Sequence, residues 1–559
     1  MQKTRMCTYI VDDLPRAVKY VAAFGILFLC TTFAHGQSCT SSSCQATDCT
    51  QSSVLASLPS SSNTNSAVTV TWPSCPSGVG WSATSYYTLP SAVKSMTIHG
   101  QTSCTGSGNP AQNNLSCTDG TTILDNLSDS SKAALNFTVG SGQFIRLTGV
   151  TILAGSRTIA DHGTFVFSCA AEPNQLRIDH SHISGVATAL TTIDCFGAID
   201  HTKFEETANN HNWLHVWDPY YNKGASSGNG DGSWAAPTAF GTSSFLYLED
   251  NLISNGVDDC TFGGRVVARF NTFINGGNLQ THPTGGGGAD ERGCRAYEIY
   301  GNSFTASNSN PAYNAFFMSS GTALFWGNTS TAGYEHTISI QSMRRSNSTY
   351  SENMTPYGWG YCGSSFNGTS SPWDQNSNAT TGYACIDQPG RGKGDLITGM
   401  MPNAINSSTG TISWVHEASE PIYEWGDKWT LAPGYGGLFL TNASVDTLSQ
   451  NRDYYLWCNS SSQTACTSNF DGSQGTGSGM LAARPTTCTT GVVYWATDLG
   501  NWNQSGSGGQ GQLFKCTATN TWTSFYTPYT YPSPIQSSNG TTTSTPPPPI
   551  GLSGQAVPM

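Results

Sequence analysis

Seven segments of this chain share one pattern: IRLTGVTI (145–152), LRIDHSHI (176–183), GAIDHTKF (197–204), LYLEDNLI (246–253), VVARFNTF (266–273), YEIYGNSF (297–304) and ALFWGNTS (323–330). Three columns stay apolar or small. The first runs Ile145, Leu176, Gly197, Leu246, Val266, Tyr297, Ala323. The second runs Leu147, Ile178, Ile199, Leu248, Ala268, Ile299, Phe325. The third runs Ile152, Ile183, Phe204, Ile253, Phe273, Phe304, and Ser330 breaks it. Columns two residues apart follow strand periodicity. The next step is five, and an odd step keeps both columns inward only if the chain bends between them. At that bend stand Val150, Ser181, Thr202, Asn251, Asn271, Asn302 and Asn328. Asn tolerates left-handed angles and bonds locally, which suits a sharp corner, and repeated Asn amides can ladder along a stack. Successive repeats start 31, 21, 49, 20, 31 and 26 residues apart. The shortest step is one coil of three short strands, and longer steps are the same coil with loops inserted. Helical repeats and propeller blades do not vary in this way. The pattern predicts an all-β solenoid, a right-handed parallel β-helix with rungs ~4.8 Å apart.

Lys3, Arg5, Arg16 and Lys19, the apolar run Val21–Phe28 and Ala34-His35-Gly36 read as a secretory leader over 1–36. No later stretch is long enough to span a bilayer. Of the 18 cysteines, the leader would remove Cys7 and Cys30. The remainder include six sequence-local couples: Cys104 with Cys117, Cys169 with Cys195, Cys260 with Cys294, Cys362 with Cys385, Cys458 with Cys466, and Cys488 with Cys516. An exported chain would close these as disulfides, so the expected location is extracellular or the cell surface. The pairing of Cys39, Cys44, Cys49 and Cys75 stays open. Charged residues make up only 10%, and the net charge is −12. An acidic shell argues against nucleic acid. An anionic polymer would need a local Arg cluster or a bound cation.

The repeat resembles that of the pectate-lyase-like (pectin lyase fold) superfamily. More closely, through IDHS, YLEDN, RAYEIYGNSF and SPWDQN, it resembles secreted bacterial right-handed β-helix proteins of unassigned activity. The resemblance covers about 141–345. Residues 37–140 are expected to cap the first coil, and 346–449 to continue the β-helix in loop-rich form. PIYEWGDKW (421–429) is a candidate further coil, with Glu424 where Ile299 would fall. Residues 450–535 read as an aromatic-rich β unit, and 536–559 as a disordered Pro-rich tail. Trp495, Trp502, Trp522, Tyr526 and Tyr529 would be the core of that unit or, alternatively, a sugar-stacking platform. GRGKG (390–394) reads as a solvated turn rather than an anion cradle.

The resemblance implies a glycan site on the first strand of each coil, flanked by loops that leave the preceding third strand. The excursions Glu206–Thr242 and Gly276–Cys294 would wall the 20-residue coil between them. Its floor would be Gly256–Cys260, followed by Asn278–His282. The expected catalytic group is Asp258, Asp259, His282 and Arg295. Arg265, Glu291, Arg292, His211 and Trp217 would contact substrate, with His215 on the first wall. Tyr300 and Trp326 would extend a glycan-stacking track. A base with a neutralising Arg or cation suits a lyase, and two carboxylates suit a hydrolase. The same residues also read as a polar cluster around the couple of Cys260 and Cys294. Asp179, Asp200 and Glu249 share one outward phase of successive coils. They are candidate cation ligands, Ca²⁺ being the candidate ion, unless each bonds its own corner. The sequence has neither the calcium triad of pectate lyases nor the NTD…DD…HG…RIK series of polygalacturonases. The expected function is cleavage or binding of an extracellular polysaccharide by a carbohydrate-active protein. The alternative is a non-catalytic surface or matrix β-helix that binds glycans.

Overall fold

The computed structural model describes residues 38–157, 163–185, 188–206, 212–222, 230–276, 278–282, 292–307, 312–342, 387–393, 417–440, 448–457, 469–506 and 509–537. The leader, most of the Pro-rich tail, His211 and Glu291 lie outside them. So do Cys362, Cys385, Cys458 and Cys466, so the two disulfides expected between Cys362 and Cys385 and between Cys458 and Cys466 fall outside the described residues.

Residues two apart in each repeat place their apolar side chains on one side of a strand, and the odd step turns the next strand through a corner. The result is a right-handed parallel β-helix of three long sheets. The first sheet contains Leu176–Asp179, Gly197–Asp200, Leu246–Glu249, Arg265–Arg269, Ala296–Tyr300 and Thr322–Trp326 in that order. The second contains His182–Ser184, Lys203–Glu205, Leu252–Ser254, Thr272–Ile274 and Ser303–Thr305. The third contains Thr188–Ile193, Asn212–Trp217, Val257–Thr261, Leu279–Thr281, Ala312–Met318 and Tyr334–Ile340. The register is the one the repeat predicts: Ile145 pairs with Leu176, then Gly197, Leu246, Val266, Tyr297 and Ala323. The columns fill one continuous core, and each buried Leu, Ile or Phe in it stabilises the fold by about 2 kcal/mol.

The corner differs in one respect from its expected chemistry. The left-handed residue is the one before each corner position: His180, His201, Asp250 and Phe270, with φ of 47°, 48°, 60° and 55°, then Gly301 and Gly327. The Asn side chains instead form the ladder. Nδ2 of Asn251, Asn271 and Asn302 each donates to Oδ1 of the next rung's Asn at 3.0 Å, and Asn328 donates to Asp427 at 3.0 Å. Ile422–Trp425 is a further rung, with Glu424 beside Phe325. Glu424 is buried there and accepts the Trp457 N–H at 2.8 Å. Burial, reinforced by Glu424, pushes the Asp427 carboxyl well above its ordinary range.

Ala67–Thr71 and Ser95–His99 are rungs of the first sheet, which reaches back to Ser43–Gln45. Coiling therefore begins well before residue 141. Disulfides join Cys104–Cys117, Cys169–Cys195, Cys260–Cys294 and Cys488–Cys516, as well as Cys39–Cys44 and Cys49–Cys75.

A four-stranded sheet (Thr476–Gly479, Val493–Ala496, Gln512–Ala518, Thr521–Tyr526) covers the outer face of the first sheet. Trp326 stacks between Tyr300 (4.5 Å) and Trp425 (5.6 Å), and Trp495 closes over it at 4.7 Å. Tyr300 and Trp326 are 0% and 9% exposed, which corrects their assignment to a glycan track. Trp495, Trp502 and Tyr526 are buried in the same contact, while Trp522 and Tyr529 are partly buried against it.

The outward column of the first sheet is likewise built for structure. Arg146 and Arg177 grip Asp179 at 2.6 and 3.1 Å, and Arg177 grips Asp200 at 2.9 Å. Arg269 grips Glu249 at 2.7 Å and donates to the Tyr529 and Thr530 carbonyls. Burial raises the pKa of Asp179, but the bonds from His180 and Arg146 and the Arg177 charge outweigh it and hold the carboxylate ionised. Arginines thus balance the stacked carboxylates that suggested a cation, and no group of His, Cys, Asp and Glu suited to a metal occurs among the described residues.

Candidate active site

The candidate residues His215, Asp258 and Asp259 sit on the third sheet, and its register decides which side chains face outward. Leu214 and Val216 line the core. Asp258 and Cys260 pair with them and face inward, whereas Asp259 pairs with His215 and Thr261 with Trp217, facing outward. Asp258 is therefore a core residue rather than half of a catalytic pair. It bonds the Tyr297 hydroxyl and accepts the Gln280 N–H at 2.6 Å. Burial pushes its pKa up to about 8, so it is largely protonated at neutral pH.

The three arginines expected in the cleft are fully buried struts. Arg265 donates to Ser233 Oγ (2.8 Å), the Ser233 carbonyl (2.8 Å) and the Thr238 carbonyl (2.6 Å), and lies over the Tyr221 ring. Burial, then Arg295, lowers its pKa to about 10. Arg292 pairs with Asp387 (2.6 Å), Glu417 (2.7 Å) and Asp231 (3.2 Å), over Trp234. Arg295 pairs with Glu420 at 2.8 Å and also lies over Trp234. Together they fasten the loop carrying helix Asp231–Ala235, and two segments distant in sequence, onto the solenoid. His282 continues the third sheet through its backbone: its N–H donates to the Cys260 carbonyl, and its carbonyl accepts from the Cys294 N–H. No side-chain bond from His282 or Arg295 to Asp259 occurs among the described residues.

The structure brings together a smaller group. His215 Nε2 stands 4.0 Å from Asp259 Oδ2, on adjacent rungs. Asn212 Nδ2 meets the same Nε2 at 2.7 Å. Trp217 lies 5.3 Å from the His215 ring and 5.5 Å from Phe262. Asp259 Oδ1 and Thr261 Oγ1 are buried with no hydrogen-bond partner among the described residues. An unmet buried acceptor is costly, and this one belongs to the carboxyl whose other oxygen stands 4.0 Å from the imidazole. The sequence places His215 and Trp217 on a wall, because 206–242 reads as one excursion. The missed signal lies in L-H-V-W, whose alternation marks a strand inside that excursion. Asn212 and Thr261 carry no sequence signal of their own.

No protein-family model matches the chain, and no curated protein matches it. Among solved structures, a crystal structure of alginate lyase from Paenibacillus sp. str. FPU-7 is similar at 13% identity, over 53% of this chain and 98% of that one, with a TM-score of 0.28. A likeness that loose transfers neither fold detail nor activity to this chain.

Proposed function

We propose that this chain is a secreted carbohydrate-active protein that binds an extracellular polysaccharide across the outward face of the third sheet. It acts on that polymer through His215 and Asp259. The observation that carries this reading is the imidazole–carboxylate pair 4.0 Å apart on neighbouring rungs, beside Trp217 and the unmet Asp259 Oδ1. An imidazole and a carboxylate are suited to moving protons at neutral pH, and an indole suits the C–H face of a sugar ring. With Asp258 turned into the core, Asp259 is the outward member of the DD pair, which favours β-elimination over a two-carboxylate hydrolysis. In that reaction a base takes the proton at C5 of a uronate residue. The C–H electrons form the C4–C5 double bond, the C4–O bond breaks, and an acid returns a proton to the leaving oxygen. Six disulfides among the described residues fit an oxidising compartment. No helix there is long and apolar enough to cross a membrane.

The test is incubation with a panel of neutral and uronate polysaccharides, with and without Ca²⁺. Unsaturated products are read by absorbance and new reducing ends by colour. Asp259→Asn and His215→Ala should each lower turnover by about 100-fold or more. Full activity in either variant would sink the assignment. Binding without any product would leave a glycan-binding β-helix instead.

A further inference from the structure

Two exposed aromatic rings stand together farther along the third sheet. Tyr313 and Tyr435 are each 45% exposed. The His336 imidazole is edge-on to both, 5.5 Å from Tyr313 and 5.9 Å from Tyr435 between ring centroids. Its Nδ1 meets the Gly436 carbonyl at 3.0 Å. A carbonyl only accepts, so Nδ1 is the donor there. Tyr435 is held out by the turn Gly434-Tyr435-Gly436-Gly437, where Gly434 takes a φ of 91°. Thr337 donates both its N–H (2.7 Å) and its Oγ1 (2.8 Å) to the Gly437 carbonyl, fastening the turn to the Tyr334–Ile340 strand. The Glu335 carboxylate, level with Tyr313 on the neighbouring strand, raises the pKa of the Tyr435 hydroxyl.

We infer that Tyr313, His336 and Tyr435, with Glu335, form a second saccharide-binding subsite that seats a pyranose ring of the polymer acted on at Asp259. This inference rests on the glycan reading of that site. A pyranose has a C–H face and a rim of hydroxyls. The platform offers aromatic rings for the first, and an imidazole and a carboxylate for the second. A lipid or an apolar peptide would favour one unbroken apolar area. Here the rings are separated by a histidine and bordered by a carboxylate and glycine carbonyls. The register also sets a distance. Asp259 stands level with Gln280 and Phe317, so Tyr313 is two rungs and four residues away, roughly 16 Å, within the reach of a short oligosaccharide.

The test uses the full chain and ladders of cello-, xylo- and galacturono-oligosaccharides, from disaccharide to octasaccharide, titrated by calorimetry. Tyr313→Ala/Tyr435→Ala should weaken binding of the longer members roughly tenfold while leaving the shortest members unchanged. The melting temperature should hold, since both rings are exposed. Tyr313→Phe, which keeps the ring, should bind like the unaltered chain. Equal loss at every length, no loss at any length, or no binding of any ladder would overturn the subsite. If the length dependence responds as expected but Asp259→Asn cleaves the polymer normally, the subsite stands and the catalytic assignment falls.

Discussion

Asp258 shows what a single side chain can decide. Adjacent residues of a strand face opposite ways, so a DD pair on a strand always divides into one inward and one outward carboxyl. Which is which depends on the register of the neighbouring strand, and that register shifts between Asn212 and Leu214. The pair was legible in the sequence, but its division was not. Burial also has a thermodynamic consequence. It raises Asp258 to about 8, Glu298 to about 7 and Asp250 to about 6. Carboxyls whose folded pKa lies above the unfolded value stabilise the fold fully below that unfolded value, about 4. The benefit is lost as pH rises through the folded pKa. The melting temperature should therefore fall between about pH 4 and about pH 9. Asp258→Asn should flatten the upper part of that fall. A wild-type melting temperature that climbs across the same range would contradict the buried protonated carboxyls.

Among the elements, the corner ladder was the most legible and the arginine struts the least. Asn repeats at a fixed offset from apolar columns, and a local periodicity can be read from the chain alone. Arg292, by contrast, finds its partners at Asp387 and Glu417, separations over which no periodicity operates. In isolation its sequence neighbourhood reads as a substrate clamp. The ladder carries its own expectation. Asn271 donates to the Leu248 and Arg269 carbonyls and to Asn302, and accepts from the Asn251 backbone. Asn271→Leu would leave several of these buried groups unmet at about 1–3 kcal/mol each. Urea unfolding should register that loss, while glycan binding by the folded fraction stays unchanged. Normal stability with impaired binding would show that the residue serves the site rather than the corner.

For the molecule as a whole, the carboxy-terminal β unit changes the account of exposed surface. The sequence marked its aromatic residues and those of the repeats as separate clusters. Folding merges them, because the outward face of the first sheet presents Tyr300, Trp326 and Trp425 in one stack, and such a stack requires a cover. Arg269, Glu249 and Glu298 then tie down the residues that follow, the last through the Tyr526 hydroxyl at 2.6 Å. A chain ending before residue 469 should bind a hydrophobic dye severalfold more strongly and aggregate on warming. An unchanged dye signal would mean that the aromatic stack is covered by something else.

The bond from Asn328 to Asp427 joins positions 99 apart in sequence, yet it is the same length as the bonds between rungs 20 and 31 residues apart. The solenoid axis therefore works as a ruler graduated in rungs, indifferent to how much chain is spent between graduations. Long segments can be added or trimmed at a corner without altering the spacing of His215, Asp259 and Tyr313 along that ruler. In such a molecule the saccharide platform proposed at Tyr313 and the chemistry proposed at Asp259 can diversify separately.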